Sequence, residues 1–181
     1  MMFSVSLDGF FEGPQRELDW HLISDELHQH FNDELSRMSA FLDGRLTYQL
    51  MADFWPRLDP EHARSAPMRE FSRIWREMPK IVYSRTLQHA DWNTTIVREV
   101  VPAEVEELKR QPGGDMVVGG ANLVATFSRL GLIDEYRLYV HPTILGAGRA
   151  LFPPSESRLA LRLEGTRQFD NGVVLLRYAR G

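Results

Sequence analysis

The chain reads as a single α/β domain on one mostly parallel sheet, and three observations predict that class. Strand-like and helix-like patterns alternate along most of its length. At Asp115–Asn122, DMVVGGAN, a short apolar strand runs into a glycine pair and then a helix start. The C-terminal part departs from the alternation and closes on an antiparallel hairpin signalled by Asn171-Gly172.

Taken in order, Met2–Ser6 is a first strand. It leads into a long loop to about Trp20 that carries Phe10, Phe11, Asp8, Glu12, Glu17 and Asp19, the length of a functional lid. Ser24 reads as an N-cap, with Asp25 and Glu26 favoured in the first turn by the helix dipole. Leu27, Phe31, Leu35 and Met38 mark that helix's apolar face. Ala40–Asp43 is a second strand with Gly44-Arg45-Leu46-Thr47 as its exit. Thr47 is placed to cap a helix burying Leu50, Met51 and Phe54, which ends before Pro56. A polar surface loop is expected over 57–67. Met68, Phe71, Ile74, Trp75 and Met78 then fit an amphipathic helix stopped by Pro79.

Lys80–Ser84 and Thr94–Val97 are the third and fourth strands. Pro102 suits the first turn of a helix to about Arg110. The central strand and its helix follow, with Leu123, Phe127 and Leu130 inward and Gly131 as the stop. Glu135–His141 is a further strand, and Gly146-Ala147-Gly148 a tight turn. The alternation of Leu159, Leu161 and Leu163 predicts a half-buried strand before the hairpin to Val173–Arg180.

Composition narrows the function. The chain has 181 residues, 43% hydrophobic and 25% charged, which suits one globular domain with a real core. A net charge of -4 leaves no basic footprint for nucleic acid. The absence of cysteine excludes disulfides, thiolate metal sites and cysteine nucleophiles. No apolar run reaches the length of a membrane span, and MMFSVSLDGFF lacks a signal-peptide pattern, so no membrane partner and a cytoplasmic location are expected. Neither H-E-x-x-H nor G-x-x-x-x-G-K occurs, so no metal site is expected and a P-loop hydrolase is disfavoured.

In an open α/β sheet, ligands bind beyond the carboxyl ends of the parallel strands. Three exits carry suitable groups: Arg45 and Thr47, then Ser84 and Arg85, then Gly119-Gly120-Ala121-Asn122. Two guanidinium groups, two hydroxyls and a glycine-lined helix start match a phosphorylated dinucleotide. The helix start suits pyrophosphate and arginine suits a 2′-phosphate. A plain strand–helix turn fits the glycine pair equally well by spacing alone.

The segments GRLTY (44–48), IVYSR (81–85), VVGGANL (117–123) and LYVHPTILGAG (138–148) resemble, in order and spacing, the dihydrofolate-reductase-like fold. SLDGFFEGP, ELDW and the final hairpin are similar to one branch of it, the proteins related to the reductase domain of the bacterial bifunctional riboflavin-biosynthesis deaminase–reductase. The resemblance covers essentially the whole chain, 1–181. It implies an NADPH-dependent reductase of a small heteroaromatic or carbonyl-type substrate, pteridine-like or of the ribosylaminopyrimidine kind.

By that resemblance, Gly44, Arg45, Leu46 and Thr47 lie around the adenosine phosphates and pyrophosphate. Ser84 and Arg85 hold the 2′-phosphoribose end, and Gly119, Gly120, Ala121, Asn122 and Leu123 cradle the pyrophosphate. The nicotinamide lies by Val5, Ser6 and the 8–13 loop. The resemblance also implies a cis peptide at Gly119–Gly120, and a homodimer, which the apolar closing segment 159–178 suits.

The substrate half departs from the classical folate reductases. His28 stands near the position of their pterin-binding carboxylate, with Asp25 one turn earlier, which argues against folate. Asp8 suits a proton donor or substrate ligand, or an Asp-Gly turn residue. His28 is placed to protonate a substrate nitrogen, or is an inert helix histidine. Trp20 and Trp55 suit stacking on a flat ring, or core packing. A nucleotide-binding protein that has lost turnover is the alternative function.

Overall fold

The structure, a computed structural model, describes residues 1–59, 61, 63–152, 154 and 158–181. Within the expected loop 57–67, residues 60 and 62 lie outside that description; Trp55–Arg57 is a 3-10 turn, and Ala63 and Pro67 are buried rather than at the surface.

The described elements follow the expected order closely. They are β1 Met2–Ser6, β2 Phe10–Glu12, α1 Asp25–Leu35, β3 Ala40–Gly44, α2 Arg45–Phe54, α3 Ala66–Glu77, β4 Lys80–Tyr83 and β5 Thr94–Val97. Then come α4 Pro102–Arg110, β6 Met116–Gly119, α5 Ala121–Arg129, β7 Glu135–His141, β8 Arg149–Ala150, β9 Leu161–Gln168 and β10 Val174–Arg180. No helix is long and apolar enough to cross a membrane among the described residues.

The chain forms two compact units, Leu27–Leu132 and the flanking Met1–Glu26 with Ile133–Gly181. Each has its own four-stranded sheet, where one sheet was expected. The 27–132 unit holds the parallel sheet β5-β4-β3-β6. Its apolar strands are covered by helices, as parallel sheets require. Val82 is fully buried between neighbours, and Trp75, Val105, Val124 and Phe127 bury one side of their helices.

The other unit holds β1-β7-β10-β9, in which only β1–β7 is parallel. Tyr136, Tyr139, Leu175 and Val173 form its core. The long loop after β1 contains the short strand β2, which pairs antiparallel with β8. Three residues were too few to stand out as a strand by periodicity. The Asn171-Gly172 hairpin forms as expected. Gly172 N–H donates to Phe169 O at 3.0 Å and Gly172 sits at φ +82°, so one glycine in the left-handed region closes it.

Four local expectations are corrected. Helix α2 starts at Arg45 with Gly44 at the N-cap, so Thr47 lies inside the first turn and does not cap it. Leu50 and Phe54 are 62% and 50% exposed, because the buried stripe of α2 runs through Tyr48 instead. Leu130 follows the last turn of α5 and is exposed rather than inward. Leu163 is exposed because β9 is an edge strand carrying Arg162, Glu164 and Arg167, and Leu159 is exposed before the strand begins.

Candidate functional site

In the 27–132 unit, strand β3 lies between β4 and β6, with Asp43 opposite Gly119 and Gly44 opposite Tyr83. All three strands end at one edge. Two of them turn straight into helices there: Gly44 is the N-cap of α2, and Gly120 the N-cap of α5. Neither cap has a side-chain hydrogen bond. Adjacent strand ends therefore present two glycine-capped helix N-termini side by side, a backbone arrangement that suits an anion. Each such terminus contributes about 0.3–1 kcal/mol toward a surface anion, and more where water is excluded.

The expected cis bond at Gly119–Gly120 is not formed: no cis peptide occurs among the described residues. The reversal is made instead by Gly120 at φ +81° and ψ 118°. L-residues rarely adopt that conformation, and glycine enters it without steric cost. Space demands glycine as well. A Cβ at Gly120 would stand 2.6 Å from Thr47 Oγ1, and one at Gly119 would stand 2.5 Å from Asp43 Oδ1. Thr47, displaced from capping, thus lines the glycine turn. Arg45 is half-buried and its Nη1 donates to Gln49 Oε1 at 2.9 Å. Leu46 is exposed beside it. Ala121 and Asn122 form the first turn of α5, and Leu123 is buried with its Cβ toward Gly44.

At the end of β4, Ser84 is buried and its Oγ accepts from the N–H groups of Leu87 at 2.9 Å and Thr86 at 3.3 Å. The hydroxyl shapes the turn that exposes Arg85. Arg98 was not singled out from the sequence. Its Nη1 donates to Ser84 O at 3.0 Å and Leu87 O at 2.7 Å, which closes the same turn. The clue was its place one residue after β5, whose Val97 pairs with Tyr83.

His28 and Trp55 come together in this unit, with ring centroids 6.0 Å apart, and Phe71 packs against both. The contacts suit either a stacking wall or part of the core.

In the other unit, Ser6 Oγ donates to Asp8 Oδ1 at 2.6 Å. Asp8 also accepts from the N–H of Leu145 at 3.2 Å and of Gly146 at 2.8 Å. The Ser6 hydroxyl and these two N–H groups hold the exposed Asp8 carboxyl below the usual carboxylate range. That geometry is a latch between the turn after β1 and the loop after β7. It keeps Asp8 ionised and makes it a poor acid at neutral pH.

Trp20 lies edge-on to two histidines, His21 at 4.2 Å and His141 at 5.5 Å between centroids. His21 and His141 stack at 5.2 Å. His141 is fully buried, its Nδ1 accepts the Leu22 N–H at 3.1 Å, and its Nε2 has no hydrogen-bond partner among the described residues. Burial, with His21 beside it, pushes His141 down to about 4. Burial lowers His21 too. The sequence reading missed this pair, since 120 residues separate its members. Among the described residues no cluster of three or more His, Cys, Asp or Glu is arranged to hold a metal ion.

A family model described as RibD C-terminal domain matches residues 1–175. The uncharacterized protein YyaP of Bacillus subtilis (strain 168) is 35% identical over 176 residues, covering 97% of this chain and 90% of YyaP. Among solved structures, a putative riboflavin biosynthesis protein from Shewanella sp. PV-4 matches with a TM-score of 0.78 at 20% identity, over 99% of this chain and 97% of its own. Dihydrofolate reductase from Enterococcus faecalis, complexed with NADP(H) and RAB-propyl, matches with a TM-score of 0.64 at 15% identity, over 99% and 94%. At such identities both structures speak for the fold, and the dihydrofolate-reductase-like α/β fold is the one expected.

Proposed function

The chain belongs to the RibD C-terminal domain family, and on that premise we propose that it is a cytoplasmic, NADPH-dependent reductase of a small heteroaromatic or carbonyl-type substrate, pteridine-like or of the ribosylaminopyrimidine kind. Family and fold point to a reductase. The observation that carries the cofactor is the glycine turn between two helix N-termini, where a Cβ on Gly120 would strike Thr47. A backbone surface that tolerates no side chain and offers several N–H donors fits a pyrophosphate.

The nicotinamide supplies the hydride when bound. The chain's residues bind and orient. The first turns of α2 and α5, around Thr47 and Ala121, would hold the pyrophosphate oxygens. Arg45, Ser84 and Arg85 take the 2′-phosphate, on a turn held rigid by Arg98. Asp8 fixes the loop after β7 rather than donating, which leaves His28 or a water molecule to supply the proton that completes reduction. In the 27–132 unit, His28 and Trp55 remain the candidates for gripping a substrate ring; Trp20, set against His21 and His141 in the other unit, is a separate candidate.

NADPH is expected to bind at least about tenfold more tightly than NADH, because arginine–phosphate pairs are charge-assisted and often bidentate. Calorimetry with both cofactors measures this, and equal affinities would remove the 2′-phosphate role from Arg45, Ser84 and Arg85. A nucleotide-binding protein without turnover is the second reading, favoured by the three donors that already occupy Asp8. Stopped-flow loss of NADPH absorbance against pteridines and pyrimidines separates the two.

A homodimer belongs to the same proposal. Leu163 on the edge strand β9 and Leu159 just before it are 54% and 45% exposed, apolar surface that a second copy would cover. Light scattering at micromolar concentration should give twice the chain mass, and a monomeric mass would contradict it.

A further inference from the structure

Asp43 plays no part in the function proposed above, yet it lies directly behind the glycine turn. It precedes Gly44 on β3, and the register sets it across from Val82 and Gly119, on the face that also carries Phe41 and Lys80. It is 4% exposed, and its carboxyl makes no hydrogen bond among the described residues. A Cβ on Gly119 would stand 2.5 Å from its Oδ1, so the carboxyl rests against the bare Cα that opens the turn. A buried carboxylate without a hydrogen-bond donor is costly, and it lowers that cost by taking a proton.

The charges around it are few. Lys80 from β4 faces it, and β6 has no titratable side chain. From α2, Arg45 turns to Gln49, Tyr48 is held by the Asp91 backbone, and Asp53 pairs with Arg57. The one charged residue of α5, Arg129, lies in its last turn. Lys80 has its own partners, donating to Met78 O at 2.7 Å and Trp92 O at 2.8 Å and lying 4.3 Å from the Trp75 ring centroid. It therefore offsets Asp43 electrostatically without a hydrogen bond, and the pair is left sensitive to any further charge. Burial raises Asp43 to about 7 against the pull of Lys80, and lowers Lys80 to about 8 against that of Asp43.

We propose that Asp43 is a proton-linked positioning residue: it takes up a proton when a dinucleotide pyrophosphate occupies the turn at Gly119–Gly120, and it is ionised against Lys80 when the turn is empty. This rests on the cofactor reading above. The physical cause is that two like charges sharing a poorly solvated site cannot both stay ionised cheaply. The phosphodiester remains charged at any working pH, so the carboxyl yields. By linkage, cofactor affinity then falls as pH rises above the free-state value of Asp43, approaching about tenfold per pH unit.

The test is calorimetric titration with NADH, which has no 2′-phosphate to titrate, in pairs of buffers of different ionisation heat from about pH 6 to about pH 9. The wild type should take up close to one proton per cofactor at the upper end of that range, and its affinity should fall over the same interval. Asp43→Asn should take up fewer protons than the wild type and show a shallower fall of affinity with pH, any uptake left being that of Lys80, which titrates near 8 in the same window. A wild-type proton count of zero throughout overturns the proposal and needs no variant that might misfold. An unchanged count in Asp43→Asn overturns it equally. If neither NADH nor NADPH binds at any pH, the cofactor reading itself fails, and this proposal with it.

Discussion

Replacing Gly120 by alanine is expected to leave a folded protein that has lost at least about 100-fold in NADPH affinity, close to 2.7 kcal/mol. Gly120 sits at φ +81° and ψ 118°, and its Cβ would stand 2.6 Å from Thr47 Oγ1. A non-glycine residue held there costs about 1–3 kcal/mol, a fraction of the roughly 5–15 kcal/mol that holds a domain together. The chain relieves that strain by moving the turn or Thr47, and either shift moves the N–H groups meant for the pyrophosphate. Gly172→Ala is the control. It has nearly the same φ, +82°, and its new Cβ would meet only Pro142 Cγ at an ordinary 3.5 Å, so it adds backbone strain at the hairpin and not in the cradle. Calorimetry should find wild-type affinity in Gly172→Ala and the large loss in Gly120→Ala, with circular dichroism unchanged in both. Wild-type affinity in Gly120→Ala would reduce the glycine pair to an ordinary turn.

The second large effect is a change in how stability depends on pH when His141 is replaced. His141 is buried neutral, with Nδ1 accepting from Leu22 and a folded value near 4, against an ordinary 6.5. A value depressed by folding means that the unfolded chain binds the proton first. This contribution is fully present above about pH 6.5 and is lost as pH falls toward about 4, at up to about 1.4 kcal/mol per pH unit. His21 adds a loss of the same sign. Asp43 acts oppositely: its folded value is raised to about 7, so it favours the folded state as pH falls toward the ordinary carboxylate range. Asp43 thus offsets part of the histidine loss between about pH 5 and 6.5, and the difference between proteins is the informative quantity. His141→Asn keeps an acceptor near Leu22 and removes the titration. Its urea-denaturation stability should rise relative to wild type by about 1.4 kcal/mol per unit as pH is lowered through that window. Parallel profiles would show that His141 does not titrate as its burial implies.

The parts of this fold legible in the sequence were those set by local pattern. The apolar triplet before Gly119, the period of Phe71, Ile74, Trp75 and Met78, and the glycine at the hairpin each report a short stretch of backbone. What escaped depends on pairings made only when the chain is folded. Lys80 reads as an ordinary charged residue after Pro79, and its burial over Trp75 follows from the neighbours of β4. Asp43 left a faint trace, an acid closing the apolar run AFLD, where the β3–β4 register puts it on the face of Lys80. His21 and His141 carry no shared signal, since β1–β7 pairing and the fold of the loop after β1 bring them together. In α2, the apolar positions Leu46, Leu50 and Phe54 have perfect helical spacing yet are exposed, so periodicity identified the helix without identifying its buried side. The three strand exits were legible as positions, because each apolar run ends at glycine, serine or arginine and parallel neighbours end at one edge. The bracing of one exit by Arg98 was not, because it reaches across from the neighbouring strand.

The central claim is that the glycine turn and the two helix starts beside it hold the phosphates of a nicotinamide dinucleotide. A crystal structure of the protein grown with NADPH tests it most directly. The proposal predicts pyrophosphate density against the first turns of α2 and α5, with the 2′-phosphate at Arg45, Ser84 and Arg85. Well-ordered NADPH bound elsewhere, with these turns facing only solvent, would contradict it.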